Sequence, residues 1–242
     1  MTHIIISEWA QYALYRTKHL MVSDLPCGLG RLLEQLSQYT SASPFAITLV
    51  INGLTAQDHH YHTLQSRYHM IEHIIARPNI GQDFGAYNAG YQHLKSLGYE
   101  GAVMFLNTGV TGPYQTNWLQ TYHQLFDRYQ TLGVCGQTLS ALNTRTDDND
   151  FLPHVQSYCM MTTMPILNRV FPSALPGANC SNRDDIVRDG EIGFSQRILN
   201  AGYGISCTQY PEFYYTNGSD WTIPKREGRF RLSTPHFVSY QL

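Results

Sequence analysis

Arg77-Pro-Asn-Ile-Gly-Gln-Asp-Phe-Gly-Ala-Tyr-Asn-Ala-Gly90 gathers polar residues and glycines between two apolar runs, Met70–Ala76 and Gly101–Asn107. Both runs read as short buried strands, being apolar, short and bounded by turn residues. Phe84–Leu97 reads as a helix, because Phe84, Tyr87, Tyr91 and Leu94 fall on one face and Gly98 follows its end. A polar turn that opens a helix in such a unit can bind an anion, since unpaired backbone N–H groups and the helix dipole point at it. An ordinary loop with Gly81 at positive φ would read the same way. The His-rich turn His59-His60-Tyr61-His62 lacks the carboxylate or cysteine partners that would make it a transition-metal site.

The elements around this turn set its place. Further strands are expected at His3–Ser7, Phe45–Asn52, Gly133–Gln137, Val155–Thr163 and Tyr203–Gln209. Helices are expected at Leu29–Tyr39, Trp118–Gln130 and Glu191–Asn200, the last closed by Gly202 as a C-cap. Strands alternating with helices imply an α/β fold, a Rossmann-like, mostly parallel sheet with helices on both faces. Ligands of such sheets lie beyond the carboxyl ends of the strands. That rule puts Asn52, Arg77–Asp83 and Asn107–Gly112 on one rim.

Composition narrows the classes. With 242 residues and 43% apolar, the chain can bury a full core as one domain. A net charge of −2 disfavours a nucleic-acid partner. Positive charge is nevertheless dense at Lys225, Arg226, Arg229 and Arg231. The cysteines, Cys27, Cys135, Cys159, Cys180 and Cys207, are odd in number and widely spaced, which reads as reduced thiols in a cytoplasmic protein. Met1–Ser7 looks like a first strand rather than a signal peptide, and no apolar run reaches the length of a membrane span.

Four segments together resemble the inverting, GT-A fold glycosyltransferases of the family-2 type. Phe45–Asp58 resembles the second strand and its nucleotide-binding loop. Asn79–Gly90 is similar to the Asn-x-Gly helix start. Val103–Gly109 is similar to the strand that usually ends in a metal-binding Asp-x-Asp, and Asp189–Tyr203 to the acidic helix that carries the base. A narrower resemblance is to rhamnan-synthesis-type glycosyltransferases of surface polysaccharide clusters. It rests on Arg77–Tyr87, Phe105–Pro113, Pro153–Ser157 and Gly190–Ser195. The resemblance implies a nucleotide-sugar half at about residues 1–112 and an acceptor half at about 113–242.

It also implies roles. A general base is expected at Glu191, with Asp189 second; either could instead be a carboxylate favoured by a helix N-terminus. Donor contacts are expected from Asn52, Arg77, Asn79, Gly81, Asp83, Asn107 and Thr108. Asp83 also suits an N-cap, and Arg77 a partner carboxylate. Acceptor contacts are expected from His154, Gln156 and Asp185. Where the wider family has acidic residues, this chain has Asn52 and Asn107-Thr108-Gly109. Amides and glycine are poor ligands for hard cations, so the usual Mg²⁺ or Mn²⁺ is not expected, and no residue is assigned to a metal; His236 would be a late candidate. Arg226 and Arg229 are the candidate counter-charge for the donor diphosphate, because Arg forks match phosphate oxygens. The same basic run could contact anionic lipid at the inner face of a membrane. The expected partners are a nucleotide-sugar donor and a glycan or lipid-linked glycan acceptor. A sheet of this type that has lost catalysis and binds a glycan or a partner transferase is the alternative; a nucleotidyltransferase lacks its Gly-rich loop here.

Overall fold

Ile4, Ile5 and Ile6 are all fully buried, so the first strand is covered on both faces. Residues on alternate sides of a strand enter different layers. Ile4 and Ile6 pack with Leu29, Leu32, Leu33, Leu36, Trp118 and Tyr122, while Ile5 packs with Phe84, Tyr87, Tyr91, Phe194 and Ile198. The computed structural model describes residues 1–19, 24–39, 42–54, 61–142, 150–225 and 237–239. The candidate residues His59, His60, Arg226, Arg229, Arg231 and His236 lie outside these residues.

The central sheet has eight strands. They are β1 (Thr2–Trp9), β2 (Phe45–Asn52), β3 (Ile71–Arg77), β4 (Ala102–Asn107), β5 (Leu132–Gly136), β6 (Cys159–Thr163), β7 (Gly204–Cys207) and β8 (Tyr214–Tyr215). Their spatial order is β8-β7-β5-β6-β4-β1-β2-β3. β1 pairs in parallel with β2 and β4, and β2 with β3. β6 is antiparallel to both β4 and β5. It returns from β5 without a crossover helix, and a chain that does so comes back antiparallel. β7 is again parallel to β5, and β8 antiparallel to β7.

The helices follow their apolar spacing. α1 (Leu29–Gln38) buries Leu29, Leu32, Leu33 and Leu36, the i, i+3, i+4, i+7 stripe of a helix lying on a sheet. α2 spans His62–Arg67, α3 Gln82–Ser96, α4 Trp118–Arg128 and α5 Met164–Val170. A last helical stretch starts at Arg183–Asp185, widens into a π-helical segment at Ile186–Ile192 and continues as α6 (Gly193–Asn200). Cys135, Cys159 and Cys207 are buried in β5, β6 and β7 as small apolar side chains.

Three expectations need correction. Val155–Thr163 is two strands: Phe151–Val155 pairs with Leu139–Leu142 in a separate ladder, and β6 begins only at Cys159. The last helix begins at Arg183, eight residues before the expected Glu191, with Asn182 as its cap. Asp83 is no N-cap, because α3 starts at Gln82 behind Gly81. A two-stranded hairpin, Arg16–His19 against Asp24–Cys27, was not expected at all.

Candidate active site

Register puts Ser7 beside Asn107 across β1 and β4, and Asn52 beside Trp9 across β2 and β1. The carboxyl ends of these parallel strands form one polar rim, and their side chains form one network. Ser7 Oγ donates to Asp83 Oδ1 at 2.7 Å, and Asn107 Nδ2 donates to Asp83 Oδ2 at 3.0 Å. Asn52 Nδ2 lies 3.3 Å from Ser7 Oγ. The Asn107 side-chain oxygen accepts from the Gly109 N–H at 3.0 Å, which curls the chain at the end of β4. Burial pushes the Asp83 carboxyl up, the Ser7 and Asn107 donors oppose this, and the Glu191 charge adds to it.

Arg77 closes the side of the network. Its guanidinium donates to the Asn52 side-chain oxygen and, at 2.6 Å, to the Ile80 carbonyl. Among the described residues its partners are these two oxygens rather than a carboxylate, and burial pulls its pKa down. Gly81 stands at φ 72°, and a β-carbon there would meet the Ala178 carbonyl oxygen at 2.1 Å. Only glycine fits both demands. Asn79 is exposed on the loop before it. Thr108 is buried, with its hydroxyl and carbonyl both turned to Arg16.

α3 joins this rim to a second carboxylate. Asp83 and Tyr87 are one helical turn apart and share a face. The Tyr87 hydroxyl donates to the Ser157 carbonyl at 3.0 Å. The Ser157 N–H in turn donates to Glu191 Oε2 at 2.8 Å, and the Ser157 hydroxyl donates to the same oxygen. Tyr87 is fully buried; burial raises its pKa well above the ordinary value, and the nearby Asp83 and Glu191 charges raise it further. Glu191 is 5% exposed in the π-helical segment. A β-carbon on its neighbour Gly190 would stand 2.7 Å from the Phe84 ring, so a glycine lets this segment press onto α3.

Glu191 Oε1 faces His154 Nε2 at 3.8 Å. His154 is buried, and its Nδ1 lies 2.7 Å from the Leu152 carbonyl, which fixes that nitrogen as the donor. Nε2 therefore carries the lone pair in the neutral ring. Gln156 Nε2 approaches the same nitrogen at 3.5 Å. Asp189 makes other contacts: Arg188 at 2.7 and 2.9 Å, and Cys180 Sγ at 3.8 Å. The Arg188 guanidinium holds the Asp189 carboxyl below its usual range. Asp185 also pairs with Arg188, at 2.7 Å. The structure thus brings together Asn52, Arg77, Asp83 and Asn107 on one side, and Glu191, His154 and Gln156 on the other. It engages Asp185 and Asp189 elsewhere.

Two cations escaped the sequence reading. The Arg16–His19 strand lies over the end of β4. Arg16 Nη2 donates to the Thr108 carbonyl at 2.8 Å, and Lys18 Nζ to the Gly109 carbonyl at 2.9 Å. Among the described residues, no three His, Cys, Asp or Glu side chains cluster to hold a metal ion. The donor set at Asn107-Thr108-Gly109, one amide and one hydroxyl turned to Arg16, does not fit a hard divalent cation.

The fold is also found in solved structures. The chain is similar to S. aureus TarS 1–349 in complex with UDP, with a TM-score of 0.50 and 14% identity over 85% of this chain and 57% of that one. It is similar to S. aureus TarS with a TM-score of 0.52 and 14% identity over 89% of this chain and 36% of that one. For TarS 1–349 alone the TM-score is 0.51 at 14% identity, over 89% and 60% of the two chains. The fold is GT-A-like. At this identity the likeness concerns the fold alone, and the chain spans 36% to 60% of the length of these structures. No known family profile matches the chain, and neither does any curated protein. No helix among the described residues is long and apolar enough to cross a membrane.

Proposed function

We propose that this chain transfers a glycosyl group, hexosyl or deoxyhexosyl, from a nucleoside diphosphate sugar to a hydroxyl of a growing surface glycan, with inversion. One observation carries the reading. A donor-side network (Ser7, Asn52, Asp83, Asn107) and a buried carboxylate, Glu191, meet through Tyr87 and Ser157 at the mouth of a parallel sheet. S. aureus TarS, whose residues 1–349 have been solved in complex with UDP, has a similar fold, and a nucleoside diphosphate bound to such a fold adds weight to this class. The narrower likeness to rhamnan-synthesis-type enzymes supports polysaccharide, O-antigen or capsule as the product. The acceptor would be a free or lipid-linked glycan, met in the cytoplasm or at the inner face of a membrane.

The chemistry assigns each group a task. The donor sugar lies against Asp83, Asn107 and Asn52, whose carboxylate and amides accept from and donate to its hydroxyls. Ser157 orients Glu191 through Oε2 and leaves Oε1 for the incoming hydroxyl. As the acceptor oxygen bonds to the anomeric carbon, its proton passes to Glu191. The bond from the anomeric carbon to the phosphate oxygen breaks, and its electron pair stays on the departing phosphate. His154 and Gln156 border the acceptor side of the carboxylate. Asp185 and Asp189 are held by Arg188 and take no part in this step.

The test is release of nucleoside diphosphate from a panel of UDP-, GDP- and dTDP-sugars, with and without glycan acceptors. Turnover of at least one donor, with the β-anomer formed from an α-donor, is expected. Binding of a nucleotide sugar without turnover under any acceptor would favour a binding protein that has lost catalysis. No binding at all would overturn both readings.

A further inference from the structure

A departing diphosphate needs positive charge close to its oxygens. The end of β4 is where that charge would be required, and the hairpin over it brings two cations. Arg16 is matched already: its guanidinium lies 3.5 Å from Glu8, a carboxylate only 2% exposed, and holds Thr108 by two hydrogen bonds. Arg16 therefore clips the hairpin to the rim. Lys18, two residues on and on the same side of the strand, reaches the next carbonyl, that of Gly109.

The missing side chain at Gly109 matters here. A β-carbon on it would stand 2.9 Å from Lys18 Nζ and 3.1 Å from the Asn107 side-chain oxygen. The space an aspartate at this position would fill is held by an ammonium group. Lys18 is half-buried: burial lowers its pKa, the Cys27 thiol and Asp83 pull it back up, and Arg16 and Arg183 add to the fall. Lys18 Nζ and the Asn107 side-chain oxygen flank the same β-carbon position, and Asn107 donates to Asp83, so the ammonium borders the donor network.

We propose that Lys18 binds the donor diphosphate at the end of β4 and stabilises the departing phosphate. This rests on the glycosyltransferase reading above. Lys18 transfers no proton; it acts as a fixed positive charge while the bond to the anomeric carbon breaks.

The experiment is calorimetric titration of UDP, GDP and dTDP, each beside its free nucleoside, in EDTA. Wild type is compared with Lys18→Gln, Lys18→Met and Lys18→Arg. Gln keeps an N–H for the Gly109 carbonyl without the charge. Lys18→Gln and Lys18→Met are expected to weaken the diphosphate roughly 10- to 100-fold, the range for a charged hydrogen bond. Nucleoside affinity should be unchanged, and Lys18→Arg should stay within several-fold of wild type. A purely structural lysine would weaken nucleoside and diphosphate alike, and that result overturns the proposal. So does equal diphosphate affinity in wild type and Lys18→Gln, or wild-type affinity that vanishes in EDTA and returns with Mn²⁺. If wild type binds none of the three diphosphates, it is the glycosyltransferase reading that fails.

Discussion

Glu191→Gln separates a catalytic carboxylate from a structural one. In the wild type, Oε2 accepts from the Ser157 N–H and hydroxyl, and Oε1 faces His154 Nε2. A glutamine fits this environment without loss. Its amide oxygen takes over both Ser157 donors. Its amide N–H₂ lies toward His154 Nε2, which accepts in the neutral tautomer with the proton on Nδ1. Every polar group keeps a partner, so folding stability should change by no more than about 1 kcal/mol. For a chain of this size that is a Tm shift of at most roughly 2–4 °C. Turnover behaves differently, since an amide cannot accept the acceptor's proton. Its loss should be two to four orders of magnitude, about 3–5.5 kcal/mol of transition-state stabilisation. The donor Kd should stay within about twofold if the carboxylate acts on the acceptor as proposed. The assay is the initial rate of diphosphate release with acceptor, alongside donor calorimetry and a thermal melt. Glu191→Ala serves as the contrast. It strands two Ser157 donors at about 1–3 kcal/mol each, so its Tm should fall several times further. If Glu191→Gln melts normally and keeps more than about a tenth of the rate, the carboxylate only ties the helix to the Ser157 turn. Asp189 would then be tested next.

Asp83→Asn should weaken donor binding yet raise Tm at neutral pH. Burial in the folded state holds the Asp83 carboxyl above its ordinary value of 3.8, so the carboxyl favours folding below that pH and loses this contribution as pH rises through its folded pKa. The two melting curves should converge below about pH 3.8; a mutant less stable at every pH would contradict this. At the opposite end of the sheet, His3 stacks near His73, which contacts His93, and His3 is lowered from 6.5 to about 4, first by burial and then by those neighbours. Stability from neutral His3 is present above pH 6.5 and lost as pH falls toward 4, on the order of 3 kcal/mol in all, and His3→Gln should flatten that part of the Tm profile. Low-millimolar EDTA should leave turnover largely intact, because Asn107 and Gly109 supply no carboxylate; abolition by EDTA and rescue by Mn²⁺ would refute this. Replacing Arg226 and Arg229 by Ala should weaken donor binding most at low salt, where charge pairs are least screened. Normal donor binding with lost affinity for anionic liposomes would assign that run to a membrane surface instead.

The parts that were legible in the sequence share a physical cause. β2 and β4 were expected to end at Asn52 and Asn107, and they do. A strand buried on both faces is a continuous apolar run, and the first polar residue after it marks its mouth. α3 was legible from Phe84, Tyr87, Tyr91 and Leu94, all buried as the period requires. Its start was misjudged because Asp83 has the chemistry of a cap, while the chain uses Gly81 and spends the carboxylate on Ser7 and Asn107. Val155–Thr163 read as one strand because Gln156-Ser157-Tyr158 contains no Gly or Pro, although the turn there delivers Ser157 to Glu191. The Arg16–Cys27 hairpin was invisible because its first strand, Arg16-Thr-Lys-His19, is polar on both sides and carries no apolar period. Lys18 and Arg16 therefore gave no local signal, and only their contacts with Gly109 and Thr108 bring them to the rim.

The direction in which Glu191 points is a matter of winding rather than of composition. It sits near the end of seven residues wound as a π-helix, a form that turns less per residue than the α-helix entering and leaving it. Deleting one residue between Ile186 and Asp189 would return the stretch to α-helical winding and swing the carboxylate by about 100° around the axis. Every residue of the site would still be encoded, yet Ser157 and His154 would no longer meet it. Among chains built on this architecture, a single lost or gained codon upstream of the glutamate is thus enough to take the carboxylate away from its contacts. An inventory of residues aligned by type would not register the difference.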